Sequence, residues 1–249
     1  MDKDVKKLQK RIIQHSENLE GELVHDIRVI CKRVRAELLL LKSKSKQSRL
    51  KKISKEIAGS LSSIRDAEVM LDTFDSLFRD VKSDSLNELR KKLESELYKQ
   101  NVDADSLLEQ LSRLKLELKG RSYTQKAEGR NHTSIDATKE KSREKYKKLD
   151  SKNRETFHDW RKAVKAYLYL MKLNNTESHA KLPQVKELAE CLGLLHDLYV
   201  FDEVVSKRYA EFTDYLREPF SNRERELLNE IHCLATEVYE IDGDVFQTE

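Results

Sequence analysis

From Val5 to Leu41 apolar residues recur at intervals of three and four almost without interruption, and the same spacing returns from about Arg49 to Phe78. Only one regular structure satisfies that spacing, a helix turning about 100° per residue with one face in a core. The two stretches predict two long amphipathic helices. With only 6 Gly and 2 Pro in 249 residues, the chain also lacks the turn residues that an all-β fold needs. Further helical patterns follow at Asn87–Lys99 and Ser106–Lys119, with Asp103 or Asp105 placed to cap the second. Between residues 121 and 134 the periodicity lapses and Gly, Ser, Thr and Asn gather, which predicts a linker. A long helix is then expected from Ile135 to about Leu173, and others at Pro183–Phe212, with Pro183 in a first turn, and at Arg223–Ile241.

Two landmarks recur in order. His25-Asp26 returns as His158-Asp159, 133 positions later, and LSSIRDAEVML (61–71) returns as LGLLHDLYVFD (192–202), 131 positions later. Nearly equal offsets at two separate landmarks point to a duplication. The expected fold is all-α, two pseudo-symmetric four-helix-bundle-like halves at 1–120 and 135–249.

The formal charge of +3 conceals a sharp asymmetry. Residues 25–55 carry eleven Lys/Arg against Asp26 and Glu37, a net of +9, whereas residues 187–249 carry a net of −11. A basic segment of this kind suits a polyanion, and the acidic remainder discourages indiscriminate binding. No apolar run approaches the ~20 residues of a membrane span, and the first residues lack the apolar stretch of a signal peptide, so a cytoplasmic protein without membrane contact is expected. Cys31, Cys191 and Cys233 are odd in number and widely spaced, which predicts neither a disulfide framework nor a CxxC metal site.

On the helical wheel His25, Arg28, Lys32 and Arg35 fall within about 80° of one another, opposite Leu23, Ile27, Ile30, Val34, Leu38 and Leu41. His158, Arg161, Lys162 and Lys165 form a matching stripe opposite Trp160, Ala163, Val164, Tyr167 and Met171. A merely solvated face would alternate acid and base for support at i,i+4, but these stripes stack like charges that repel. An anionic partner relieves that repulsion. Histidine at the head of each stripe adds donors that titrate near pH 6.5, so anion binding should weaken as pH rises through that range.

Three His-Asp dipeptides, His25-Asp26, His158-Asp159 and His196-Asp197, also raise the possibility of an HD-type metal-dependent phosphohydrolase. Cations one and two turns after the first two oppose a divalent metal and favour phosphate oxygens. No GxSxG, GxGxxG or GxxxxGK[ST] motif is present, and no metal or other cofactor is expected. His15, His132, His179 and His232 read as ordinary surface or core residues. The aromatics fall mainly on apolar helix faces and do not form the stacking platform of a single-strand binder. A nucleic-acid-binding helical protein is nevertheless a rival reading, because it shares the phosphate chemistry.

His-x-x-Arg-x-x-x-[Lys/Arg]-x-x-Arg on a first helix, Arg-Asp-x-x-Val on a second, and a repeat of both resemble the CHAD family, the conserved-histidine α-helical domain. The resemblance spans nearly the whole chain. HDIRVICKRVRAEL places His25, Arg28, Lys32, Arg33 and Arg35 on family positions, IRDAEV supplies Arg65 and Asp66, and HDWRKAVKAYLYL places His158, Arg161, Lys162, Lys165 and Tyr169. Lys55, ten residues before Arg65, is a further candidate. The chain departs from the family at Leu168, where Arg usually precedes the Tyr, at Leu61-Ser62 in place of Leu-Gly, and at His196, which stands where Arg65 stands in the first copy. The resemblance implies non-catalytic binding of inorganic polyphosphate in a central basic groove or pore, possession of fewer strong phosphate contacts by the second half, and association with polyphosphate granules. Asp26, Asp66, Asp159 and Asp197 are expected to orient neighbouring cations or to cap.

Overall fold

The computed structural model describes residues 2–14, 21–38, 44–79, 81, 83–100, 102–118, 128–150, 153–173 and 180–241. Among these residues the fold is all-α: α1 (Asp2–Gln14), α2 (Gly21–Leu38), α3 (Lys44–Ser60), α4 (Ser62–Phe78), α5 (Asp84–Tyr98), α6 (Ala104–Leu118), α7 (Glu128–Lys147), α8 (Arg154–Leu173), α9 (Leu182–Arg208) and α10 (Thr213–Tyr239), with a 3₁₀ turn at Ala210–Phe212. They form two compact units, one of residues 1–68 and 93–131, the other of residues 69–92 and 132–249.

In the first unit α1 packs on α2, α2 on α3, α3 on α6 and α6 on α1, a closed ring of four helices. Its core takes one stripe from each: Val5, Leu8 and Ile12; Leu23, Ile27, Ile30 and Val34; Leu50, Ile53 and Ile57; Leu107, Leu111 and Leu114. These are the positions that the three-and-four spacing selects, and burying each such side chain contributes about 1.5–3 kcal/mol. Asp103 caps α6, its Oδ1 accepting from the Ser106 amide at 3.1 Å.

In the second unit α8 packs on α9 and α9 on α10. α7 closes this group through its side chains. Tyr146 lies against Trp160 of α8 and Tyr239 of α10, with ring centroids 5.0 and 5.6 Å away. Tyr239 Oη bonds to the buried Ser142 and accepts from Trp160 Nε1 at 3.1 Å. Tyr146 Oη and His232 Nδ1 share a hydrogen bond at 3.1 Å. Residues 69–92 join the same unit, where Lys92 pairs with Glu211 at 3.0 Å and lies over the Phe212 ring.

Three expected helices are divided. The stretch from Val5 to Leu41 is two helices that fold back on each other, since α1 packs against α2 and Arg11 reaches Asp26 at 2.6 Å. The apolar spacing keeps its phase between them, so periodicity alone does not reveal the reversal. The stretch from Arg49 to Phe78 is interrupted at Leu61, where Ser62 Oγ bonds back to the Gly59 carbonyl at 2.8 Å. The helix expected from Ile135 to Leu173 breaks after Lys147, where Asn153 Oδ1 accepts from the Glu155 amide at 3.0 Å and starts α8 afresh. α7 begins at Glu128, inside the segment expected as a linker; residues 121–127 lie outside the described residues. α10 begins ten residues before Arg223 and carries Pro219 in its interior. The missing Pro N–H leaves the carbonyl of Tyr215 without its helical donor, and Tyr215 lies in the first turn of the helix, half-exposed.

Cys31 and Cys191 are buried and Cys233 is exposed, all three as free thiols. Among the described residues no helix is long and apolar enough to cross a membrane.

Candidate functional site

Both stripes occupy the side of their helix that the core leaves. On α2 the residues Leu23, Ile27, Ile30, Val34 and Leu38 are buried, while His25 and Arg33 are exposed and Arg28, Lys32 and Arg35 are half-buried. Leu41 lies outside the described residues. On α8 the buried set is Trp160, Val164, Tyr167 and Met171; Lys162 is exposed, and His158, Arg161 and Lys165 are half-buried.

In the first unit Arg28 of the α2 stripe is reached by the charge of Arg65 on α4. Arg28 does not simply point outward, as the wheel implies; its Nη1 donates to the Ala58 carbonyl of α3 at 3.3 Å. Lys55, exposed, is within one turn of Ala58 on the same helix. Burial, together with the charges of Arg65 and Arg35, lowers the Arg28 pKa from its ordinary value, with Asp66 acting in the opposite sense. Like charge therefore acts on Arg28 from both α2 and α4. Arg35 Nε donates to the Cys31 carbonyl at 3.2 Å, which lays its stem along α2. Arg65 Nη1 lies 3.4 Å from Glu68, and Glu68 rests against Gly21, the first residue of α2. A methyl group at residue 21 would stand 2.4 Å from Glu68 Oε1, so glycine admits this carboxylate to the helix N-terminus, where negative charge is favoured.

In the second unit the stripe meets α9. The His158 and His196 rings stack with centroids 4.7 Å apart and planes tilted by 34°. Lys165 Nζ lies 3.7 Å from where a Cβ would stand on Gly193, one turn before His196. Burial first, then Arg161, His158, Lys165 and Lys162, push the His196 pKa down to about 4. Burial, Lys162 and Arg161 lower that of His158, with Asp159 and Glu155 opposing. Leu168, where the family usually has Arg, is buried and offers no cation.

The depressed histidine has a consequence for stability. His196 binds a proton in the unfolded chain below about pH 6.5 but in the folded chain only below about pH 4. Its contribution is complete above pH 6.5 and is lost as pH falls towards 4. Thermal melts of the free protein should therefore show midpoints falling across that window, and H196Q should flatten the fall; a wild-type midpoint insensitive to pH there would contradict the assignment.

Two positioning residues escape the sequence reading. Asp26 pairs with Arg11 of α1, and Asp159 pairs with Lys145 of α7 at 3.2 Å as well as with Lys162 at 3.3 Å. In each unit the aspartate of the His-Asp dipeptide thus reaches a cation on the preceding helix. The available signal was a basic residue 15 positions before Asp26 and 14 before Asp159. Both carboxylates are engaged with cations, and among the described residues no group of three or more His, Cys, Asp or Glu could hold a metal ion.

The arrangement offers fixed guanidinium forks, flexible ammonium groups and imidazole donors, a set suited to phosphate oxygens. Comparison with protein families finds that the CHAD domain model matches residues 1–206. Neither a curated protein nor a solved structure matches the chain.

Proposed function

Because the chain belongs to the CHAD domain family, we propose that it is a non-catalytic module that binds inorganic polyphosphate along its two His-headed stripes. His25, Arg28, Lys32, Arg33, Arg35, Lys55 and Arg65 form the first set of contacts, and His158, Arg161, Lys162, Lys165 and His196 the second. The observation that carries this reading is the convergence of three guanidinium groups, Arg28 held half-buried against α3 with Arg35 of α2 and Arg65 of α4 acting on it and Asp66 as the opposing charge. A partly desolvated cation with others beside it gains when a polymer charged at every unit lies along it. Reading of nucleic-acid bases is not required by any of these groups. The HD-type phosphohydrolase reading is disfavoured by Asp26 and Asp159, whose carboxylates pair with Arg11, Lys145 and Lys162.

Affinity should rest on phosphate contacts and released counterions. Titration with long-chain polyphosphate at rising salt should therefore show a steep, log-linear fall; six to ten phosphate contacts on DNA cost roughly 10³–10⁵ in affinity between 50 and 200 mM salt, and the direction carries over. DNA of equal phosphate content should compete poorly. Equal binding to both polymers would favour the nucleic-acid reading, and metal-dependent release of orthophosphate, lost on replacing His25 and His158, would favour an enzyme.

A further inference from the structure

The first stripe meets α4 with an arginine, Arg65, whereas at the repeat position α9 carries His196. His196 lies ring to ring with His158, 4.7 Å between centroids, so two titratable groups share one small space. Nδ1 of His158 is buried with no hydrogen-bond partner among the described residues. The charged groups acting on the pair come from α8: Arg161, Lys162 and Lys165 on His196, and Arg161, Lys162, Asp159 and Glu155 on His158. From α10, the other helix packed on α9, Glu224 acts on Tyr199 and Glu230 on Cys191. Asp197 follows His196 on α9 itself.

We propose that the stacked His158–His196 pair makes anion binding at the second stripe proton-coupled: the pair takes up a proton as phosphate arrives, so this stripe grips its ligand more tightly in acid. The proposal rests on the polyphosphate reading of the site. In the free protein Arg161, Lys162 and Lys165 oppose charge on His196, and Arg161 and Lys162 oppose it on His158, where Asp159 and Glu155 act the other way. A phosphate chain lying along α8 neutralises those cations and adds negative charge of its own, and both changes favour imidazolium. The pair takes one proton rather than two because imidazolium rings stacked at this separation repel each other. The proton goes from solvent to an imidazole nitrogen, which then donates to a phosphate oxygen. An arginine side chain does not give up its proton, so on this reading the first stripe, with Arg65 at that position, has no counterpart of the coupled pair.

The test is isothermal titration of the full chain with long-chain polyphosphate between pH 5 and 8, in pairs of buffers with different ionisation enthalpies. The binding heat in each pair reports the protons taken up. One coupled proton tightens binding by up to about tenfold per pH unit. The wild type should show uptake and this slope, H196Q should reduce both, and H196R, with a fixed charge, should bind without the uptake that depends on residue 196. Circular dichroism checks that both variants fold. Uptake and slope unchanged in folded H196Q and H196R would overturn the proposal while leaving polyphosphate binding in place. No binding by the wild type at any pH would overturn the functional reading, and this inference with it.

Discussion

The double variant R28E/R161E is expected to lose long-chain polyphosphate binding by about 10²–10⁴-fold while keeping its helical circular dichroism. A charge-assisted hydrogen bond contributes roughly 1.5–3 kcal/mol, and two lost together give a change of that order. Replacement by glutamate adds repulsion to the loss. The single variants separate the two stripes, because residues without shared partners contribute nearly additively. R28E should also lower stability modestly, since Arg28 Nη1 donates to the Ala58 carbonyl and a glutamate cannot. R28K keeps the charge without the planar fork and should fall between wild type and R28E. Retained affinity in a folded double variant would place the ligand away from these stripes.

The second large effect is expected at Trp160. It is fully buried, lies 5.0 Å from Tyr146 between ring centroids and donates through Nε1 to Tyr239 Oη. Truncation of a buried Trp to Ala costs about 3–5 kcal/mol, much of the 5–15 kcal/mol by which a domain of ordinary stability is folded. W160A should shift the urea midpoint far downward. W160F removes the donor and part of the ring but keeps most of the volume, so its cost should be well below that of W160A. Because the chain has one tryptophan, the wild-type emission maximum directly reports the burial of this residue, and should move to the red as the second unit opens. Trp160 is flanked by Asp159 and Arg161, so the same side chain that fixes α8 in its core sets the direction of the stripe on the other side. A W160A protein as stable as wild type would contradict that role.

The core faces of α2 and α8 were legible because Ile27, Ile30, Val34, Trp160, Val164 and Met171 keep a single helical phase. The same phase concealed the reversal between α1 and α2, because a helix that folds back to line one core can resume the spacing it left. Asn153 as the start of α8 was a local signal hidden in a charged stretch that read as continuous helix. Within the candidate site, periodicity placed His25, Arg28, His158 and Arg161 on stripes, but a wheel shows one helix at a time. Contacts between helices therefore lay beyond it. The Arg28 bond to Ala58 joins α2 to α3, and the His158–His196 stack joins residues 38 positions apart. Arg11 and Lys145 were hidden for the same reason, each meeting its aspartate only once two helices are packed together.

Glu68, only 16% exposed at its side chain, stands 3.4 Å from Arg65 and is admitted by the bare Cα of Gly21. On the polyphosphate reading proposed above, Glu68 stands in for one unit of the ligand, a tethered anion beside one cation of the proposed row. On that reading an incoming phosphate would exchange with it at Arg65. A lone orthophosphate would offer one group for one group and gain little by the exchange, whereas a long polymer would yield that single place and still reach the other cations of the proposed row. Selection for length can thus begin with a carboxylate that the protein carries itself.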